Sequence, residues 1–187
     1  MSAFNVWRRA SAAFALPRNL GPLIIAALIV IADRLTKIAI QHRMGPMDAV
    51  PVIPGWLRII HTENPGAAFG MLADGNPWLR SGVLIGVSGV VLLFVGMALW
   101  SSRTTFTSTL TRVALSLILG GALGNLYDRV VYSAVTDFIE VYRGAWSFPA
   151  FNVADSAITV GAFLLMFDLA RPRRKEVHRP AELVQKR

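Results

Sequence analysis

The sequence predicts an all-α integral membrane protein: four transmembrane helices, a small β element on the outer surface and a short interfacial helix. Three observations carry that reading. Of 187 residues, 54% are hydrophobic and only 16% are charged, whereas a soluble domain carries about 25% charged residues. The mean hydropathy is +0.51. The apolar residues gather into four runs, each near the ~20 residues that cross a bilayer core about 30 Å thick. Lys and Arg cluster outside these runs, mostly on one side.

The first span is expected at 20–40, the second at 78–100, the third at 107–127 and the fourth at 148–169. The basic start followed by an apolar run has the outline of a signal peptide. The run continues past Asp33 to Ile40 with no small-residue cleavage site, so it is read as a retained span. Arg8, Arg9, Arg18, Arg103 and the basic tail at 171–187 outnumber Arg43, Arg58, Arg129 and Arg143 on the opposite side. The excess places both termini in the cytoplasm. The whole chain, 1–187, reads as a single membrane domain.

Segment 41–77 faces outward and is rich in turn formers: Gly45-Pro46, Pro51, Pro54-Gly55, Asn64-Pro65-Gly66 and Asp74-Gly75-Asn76-Pro77. Between them Trp56 to Thr62 is apolar and β-branched, which favours a strand. Segment 128–147 also faces outward, and its stretch Val135 to Tyr142 is expected to lie along the interface. The tail after Arg171 is polar and basic.

The composition excludes several functions. There are no cysteines, and the three histidines, His42, His61 and His178, stand in no metal-binding spacing. No metal and no cofactor are expected. The net charge of +8 sits at span ends and in the tail, which fits anionic lipids rather than nucleic acid. Gly86-Val87-Ser88-Gly89 matches the G-x-S-G string of rhomboid serine proteases. That chemistry needs a facing histidine, and no histidine lies within a span, so Ser88 reads as a packing residue.

Charged groups inside a span cost several kcal/mol unless they have a partner or a task. Asp33 lies about 20 Å along the first span, and Lys37 shares its face at i+4. The third span ends Gly120-Gly121-Ala122-Leu123-Gly124-Asn125-Leu126-Tyr127-Asp128-Arg129, in which Gly120 and Gly124 permit close helix approach. The fourth opens Phe151-Asn152-Val153-Ala154-Asp155-Ser156, with Asn152 suited to an N-cap and Asp155 a turn inside. Given the chain directions, Asp33, Asn125, Asp128, Asp137 and Asp155 converge on one face of the bilayer. Two facing carboxylates that share a proton suit aspartic protease chemistry. A transporter would instead spread its carboxylates through the membrane depth and show internal pseudo-symmetry. A membrane scaffold would need no such cluster.

At these residues the chain resembles the lipoprotein signal peptidase (signal peptidase II) family. The resemblance rests on Asp33-x-x-x-Lys37, Asn64-x-Gly66-Ala67-Ala68-Phe69, the Gly120 to Arg129 motif, Asp137-Phe138 and Phe151-Asn152-x-Ala154-Asp155-Ser156, in order across 33–156. Pro65 departs from the threonine common there. The resemblance implies an aspartyl endopeptidase of the bacterial inner membrane, acting at its periplasmic face. It implies cleavage of signal peptides from diacylglyceryl-modified prolipoproteins just before the lipidated cysteine. It makes Asp137 and Asp155 the catalytic pair. Asn64 and Arg129 then hold substrate, Asn125 and Asn152 bond the carboxylates, and Asp33, Lys37, Gly66 and Asp128 support them. The expected partners are prolipoproteins and membrane lipids, with no nucleic acid, and the expected state is a monomer.

Overall fold

A computed structural model describes residues 20–46, 48–66, 77–101 and 108–171. The N-terminal arginines, Ala67 to Phe69, the Asp74 to Asn76 turn, Arg103 and the basic tail beyond Arg171 lie outside the described residues. Among the described residues four long helices dominate: α1 (Leu20–Arg43), α2 (Pro77–Trp100), α3 (Thr109–Tyr132) and α4 (Val153–Ala170). The strands are β1 (Ala49–Ile53), β2 (Leu57–Asn64), β3 (Val135–Arg143) and β4 (Trp146–Ser147).

The strands form one antiparallel sheet in the order β1-β2-β3-β4, so the fold is mostly helical rather than all-α. Among the described residues, segment 128–147 holds no short interfacial helix beyond the end of α3. Val135-Thr136, Phe138-Ile139 and Val141-Tyr142 are β-branched or aromatic, and they pair with β2 from Leu57↔Val141 to Asn64↔Val135. Two turns require unusual backbone. Gly55 at φ 79 closes the β1–β2 turn, with Trp56 N donating to Ile53 O at 3.0 Å. That is the position where a type II turn needs glycine. Ser133 ends α3 at φ 60, its N–H donating to Arg129 O at 3.2 Å. The chain then turns straight into β3, which brings Asp137 back over the helix ends.

The helices are apolar outside and polar within. Leu28, Leu35, Leu93, Phe94, Phe163 and Phe167 are exposed, while Asp33, Lys37, Asn125, Asp128 and Asn152 are buried. In water this arrangement would leave the apolar surface unburied; in a bilayer it is the stable one. Three helices, Trp78–Trp100, Thr109–Tyr132 and Val153–Ala170, are long and apolar enough to cross a membrane. The first helix is long enough, but Asp33, Arg34 and Lys37 interrupt its apolar run.

α3 is the hub, packed against α1, α2 and α4. Val95 and Leu99 of α2 meet Leu115 in a buried apolar cluster. Its seams with α1 and α4 are built on glycine. A Cβ on Gly120 would lie 2.7 Å from Ala26 O of α1, and one on Gly121 would lie 2.4 Å from Ala154 O of α4. Gly121→Ala should therefore force the start of α4 away from α3, at a cost of about 1–3 kcal/mol. Gly86→Ala in α2, where a Cβ meets nothing within 4 Å, serves as the control. Thermal melts in detergent should show a clear fall for the first variant and almost none for the second.

Candidate active site

The start of α4 is fastened to β3 before the helix begins. Phe138 N and Ile139 N both donate to Phe151 O, and Phe151 N donates to Ile139 O. Asn152 follows in extended conformation as the N-cap of α4. Its side chain accepts from Asp155 N at 2.9 Å, and the Asp155 carboxylate accepts from Asn152 N at 3.2 Å. This is a reciprocal capping box. It explains why Asp155 stands one turn inside the helix, which an N-cap at Asn152 alone does not.

The cap also orients an amide. Because Asn152 Oδ1 takes the Asp155 N–H, its Nδ2 points the other way and donates to Asp137 Oδ1 at 2.7 Å. One fully buried side chain thus touches the residue of each carboxylate, and Asp137 and Asp155 are brought to one site. Asn125 Nδ2 donates to Asp155 Oδ1 at 2.7 Å. Asn64 Nδ2 donates to Asp137 Oδ2 at 3.0 Å, while its Oδ1 accepts from Gly66 N at 3.1 Å. Gly66 thereby fixes the Asn64 rotamer. Each carboxylate is held by neutral amides, with Arg129 and Lys37 acting on them through space rather than by contact.

Burial pushes the Asp137 carboxyl up to about 6. The Asn64 hydrogen bond opposes the rise, the nearby Asp155 charge adds to it, and Asn152 and Lys37 oppose it. The proton therefore leaves Asp137 near neutrality, where acid–base work needs it.

A second polar layer stands behind the first. Lys37 Nζ contacts Asp33 Oδ2 at 2.7 Å, Asp128 Oδ2 at 2.7 Å and Asn125 Oδ1 at 3.1 Å. Asp33 Oδ1 accepts from Ala154 N at 2.9 Å, so α1 supplies an anion to the N-terminus of α4. A Cβ on Gly124 would lie 2.7 Å from Asp33 Oδ2, which is why this α3 position carries none. Asp128 is held by Arg34 at 2.9 Å as well as by Lys37. Arg34 lies over the rings of both Tyr127 and Tyr132 and donates to the Tyr132 hydroxyl. Arg129 donates only weakly, to Asn125 O at 3.4 Å, and lines the site cavity.

That cavity, of about 1180 Å³, is lined at its polar end by Asn64, Asn125, Arg129, Asp137 and Asp155. Its apolar arm runs between α2, α3 and α4 past Val87, Val91, Ile118, Ile158 and Val160. Ser88 also borders it, but its hydroxyl donates to Leu84 O at 2.8 Å within its own helix. The structure gathers Asp33, Lys37, Asn64, Gly66, Asn125, Asp128, Arg129, Asn152 and the two aspartates around this space. The sequence reading missed Arg34, Gln41, Glu63 and Thr136. Only the Asp33-Arg34 adjacency in an apolar run signalled any of them.

The chain matches the family model described as signal peptidase (SPase) II over residues 25–171. It is 42% identical over 151 residues to a lipoprotein signal peptidase of Solibacter usitatus (strain Ellin6076), covering 81% of this chain and 91% of the relative. It is 44% identical over 151 residues to that of Ectopseudomonas mendocina (strain ymp), covering 79% and 86%. Among solved structures, a bacterial membrane enzyme determined by the in meso method at 2.3 Å resolution superposes with a TM-score of 0.71. It is 33% identical, over 84% of this chain and 94% of the other.

Proposed function

This chain belongs to the signal peptidase II family, and from that premise we propose that Asp137 and Asp155 are the carboxylates with which it removes signal peptides from prolipoproteins. The chain is a protease of the aspartic type and an integral membrane protein of the bacterial inner membrane. The observation that carries the choice of pair is Asn152, whose amide bonds Asp137 while its cap fixes Asp155.

The chemistry needs one proton on the pair. The ionised carboxylate takes a proton from a water as it attacks the scissile carbonyl, and the protonated one donates to the carbonyl oxygen. When the tetrahedral intermediate collapses, the first carboxyl gives its proton to the leaving amine, which becomes the α-amine of the lipidated cysteine, and the second recovers its proton from a hydroxyl of the intermediate, leaving the carboxyl product. Asn64 and Arg129 border the cavity where they can bond the peptide backbone or the headgroup region. The apolar arm suits the signal helix and the diacylglyceryl chains.

We place both termini in the cytoplasm and the pair at the periplasmic face, from the Lys and Arg distribution. The first helix is the fourth span. Its charges turn inward, onto α3 and α4, while Leu28, Ile31 and Leu35 face outward. The whole chain acts as a single membrane domain and as a monomer, with lipids around it. A carrier reading finds no support among the relatives, which are peptidases.

Purified protein should release, from a diacylglyceryl-modified precursor, a product whose mass begins at the lipidated cysteine. Cleavage elsewhere, or none, would remove the assignment. The pH dependence has a definite sign. Asp137 holds its proton below about 6 and loses it above, so the one-proton form of the free enzyme is lost as pH rises through that value. The kcat/KM profile should fall on its alkaline side from about 6. The kcat profile should fall at higher pH, because bound substrate excludes water and favours the protonated form. A kcat/KM profile that is flat from pH 5 to 8 would contradict this.

A further inference from the structure

The pairing of β2 with β3 gives the sheet two faces. Asn64 and Asp137 share the face toward the cavity, while the cross-strand pair Glu63↔Thr136, each one residue before them, alternates to the opposite face. Behind the sheet, Thr136 Oγ1 donates to Glu63 Oε1 at 2.9 Å and accepts from Gln41 Nε2 at 2.7 Å. Glu63 Oε1 also meets His61 Nε2 at 3.2 Å, and His61 Nδ1 lies 2.9 Å from Met44 O. The ring of bonds thus begins and ends at the C-terminal end of α1.

Asp33, Lys37 and Gln41 stand at i, i+4 and i+8 on α1, so they form one stripe with about 6 Å between successive members. Each reaches a different part of the site. Asp33 bonds Ala154 N at the start of α4. Lys37 bonds Asn125, which in turn bonds Asp155. Gln41 bonds Thr136, the residue before Asp137. The helix therefore holds both carboxylates, one through α3 and α4 and the other through the back of the sheet. Nothing else among the described contacts ties β3 to α1 by a side-chain bond.

We propose that Gln41 and Thr136 are positioning residues for hydrolysis, through which α1 sets the placement of Asp137 relative to Asp155. The inference rests on those two aspartates being the reacting pair. Losing the Gln41–Thr136 bond frees β3 to shift, and a misplacement near 1 Å suffices to lower a rate about 100-fold. The substrate still binds, because the apolar arm of the cavity is lined by α2, α3 and α4, which the bond does not touch.

The test uses the full-length protein in detergent with a lipid-modified precursor. Thr136→Val and Gln41→Leu break the bond from opposite elements, so a folding defect in one leaves the other informative. Each should lower kcat roughly 10- to 100-fold with KM nearly unchanged, and Thr136→Ser, which keeps the hydroxyl, should restore kcat. Asp137→Asn marks the inactive baseline. Wild-type kcat in both variants against a dead Asp137→Asn would overturn this inference alone. So would a lowered melting temperature with unchanged kcat, or a Thr136→Ser as slow as the valine variant. Full cleavage by Asp137→Asn would instead bring down the choice of pair, and this inference with it.

Discussion

Asp137→Asn and Asp155→Asn should each lower kcat by about 10⁴-fold, which is about 5.5 kcal/mol of transition-state stabilisation, while the folded protein is retained. An asparagine is close to isosteric with the aspartate it replaces. At 137 the amide Oδ1 still accepts from Asn152 or Asn64. At 155 it still accepts from Asn125 or from the cap N–H. What is lost is the capacity to carry a proton, and none of the amide neighbours can supply it, because Asn64, Asn125 and Asn152 are all neutral. The loss should therefore fall on kcat. KM for the precursor should change little, since the apolar arm of the cavity is untouched. A melting temperature close to wild type in both variants separates lost chemistry from lost folding.

Lys37→Met should cause the largest loss of stability of any single substitution near the site. The ammonium is fully buried and joins Asp33 and Asp128 at 2.7 Å each. Removing it leaves Asp128 with Arg34 but leaves Asp33 with no cation. Breaking a buried pair on one side costs about 3–5 kcal/mol, because the remaining charge keeps its desolvation penalty. The melting temperature should fall on the order of 10 °C. Adding Asp33→Asn should recover part of the loss, since asparagine still accepts from Ala154 N and no longer buries a charge. If the double variant is less stable than Lys37→Met alone, the burial argument is wrong.

Much of this site is legible in the sequence, and the reasons differ residue by residue. Asp33 and Lys37 show as a pair because helical spacing brings i and i+4 together, and the ion pair is where that spacing puts it. Asn152 shows as a cap because it precedes an apolar run. Asp155, three residues on, stands at the capping-box position, which the N-cap at Asn152 alone leaves unexplained. Gly120 and Gly124 predict close helix approach, and both face α1, Gly120 against Ala26 and Gly124 against the Asp33 carboxylate; Gly121 is the glycine that admits α4.

Other features lie beyond a reading by spacing. The Asp128 partners come from α1, 91 to 94 residues away in the chain and invisible to local periodicity. Arg129 is adjacent to Asp128 in sequence, yet adjacent helical residues point apart, and Arg129 turns to the cavity instead. Thr136 and Gln41 look like ordinary surface polar residues until the β2–β3 register turns Thr136 to the back of the sheet. The stretch Val135 to Tyr142 mixes apolar and acidic residues, which reads as interfacial. Those same residues, Asp137 and Glu140, are the ones whose strand pairing gives them partners, Asn64 for the first and Arg58 for the second. The first helix is the clearest case of function overriding pattern, because the charges that weaken its hydropathy are the ones that assemble the site.

The most direct test of the proposed dyad is a comparison of three rates, for Asp137→Asn, Asp155→Asn and the double variant, under single-turnover conditions with a diacylglyceryl-modified precursor. Two carboxylates that share one proton act as a unit, and effects within a unit do not add. The double variant should be no slower than either single variant, all three lying at the same residual rate. Losses that multiply in the double variant, or a single variant that cleaves at the wild-type rate, would show that Asp137 and Asp155 do not work as a pair.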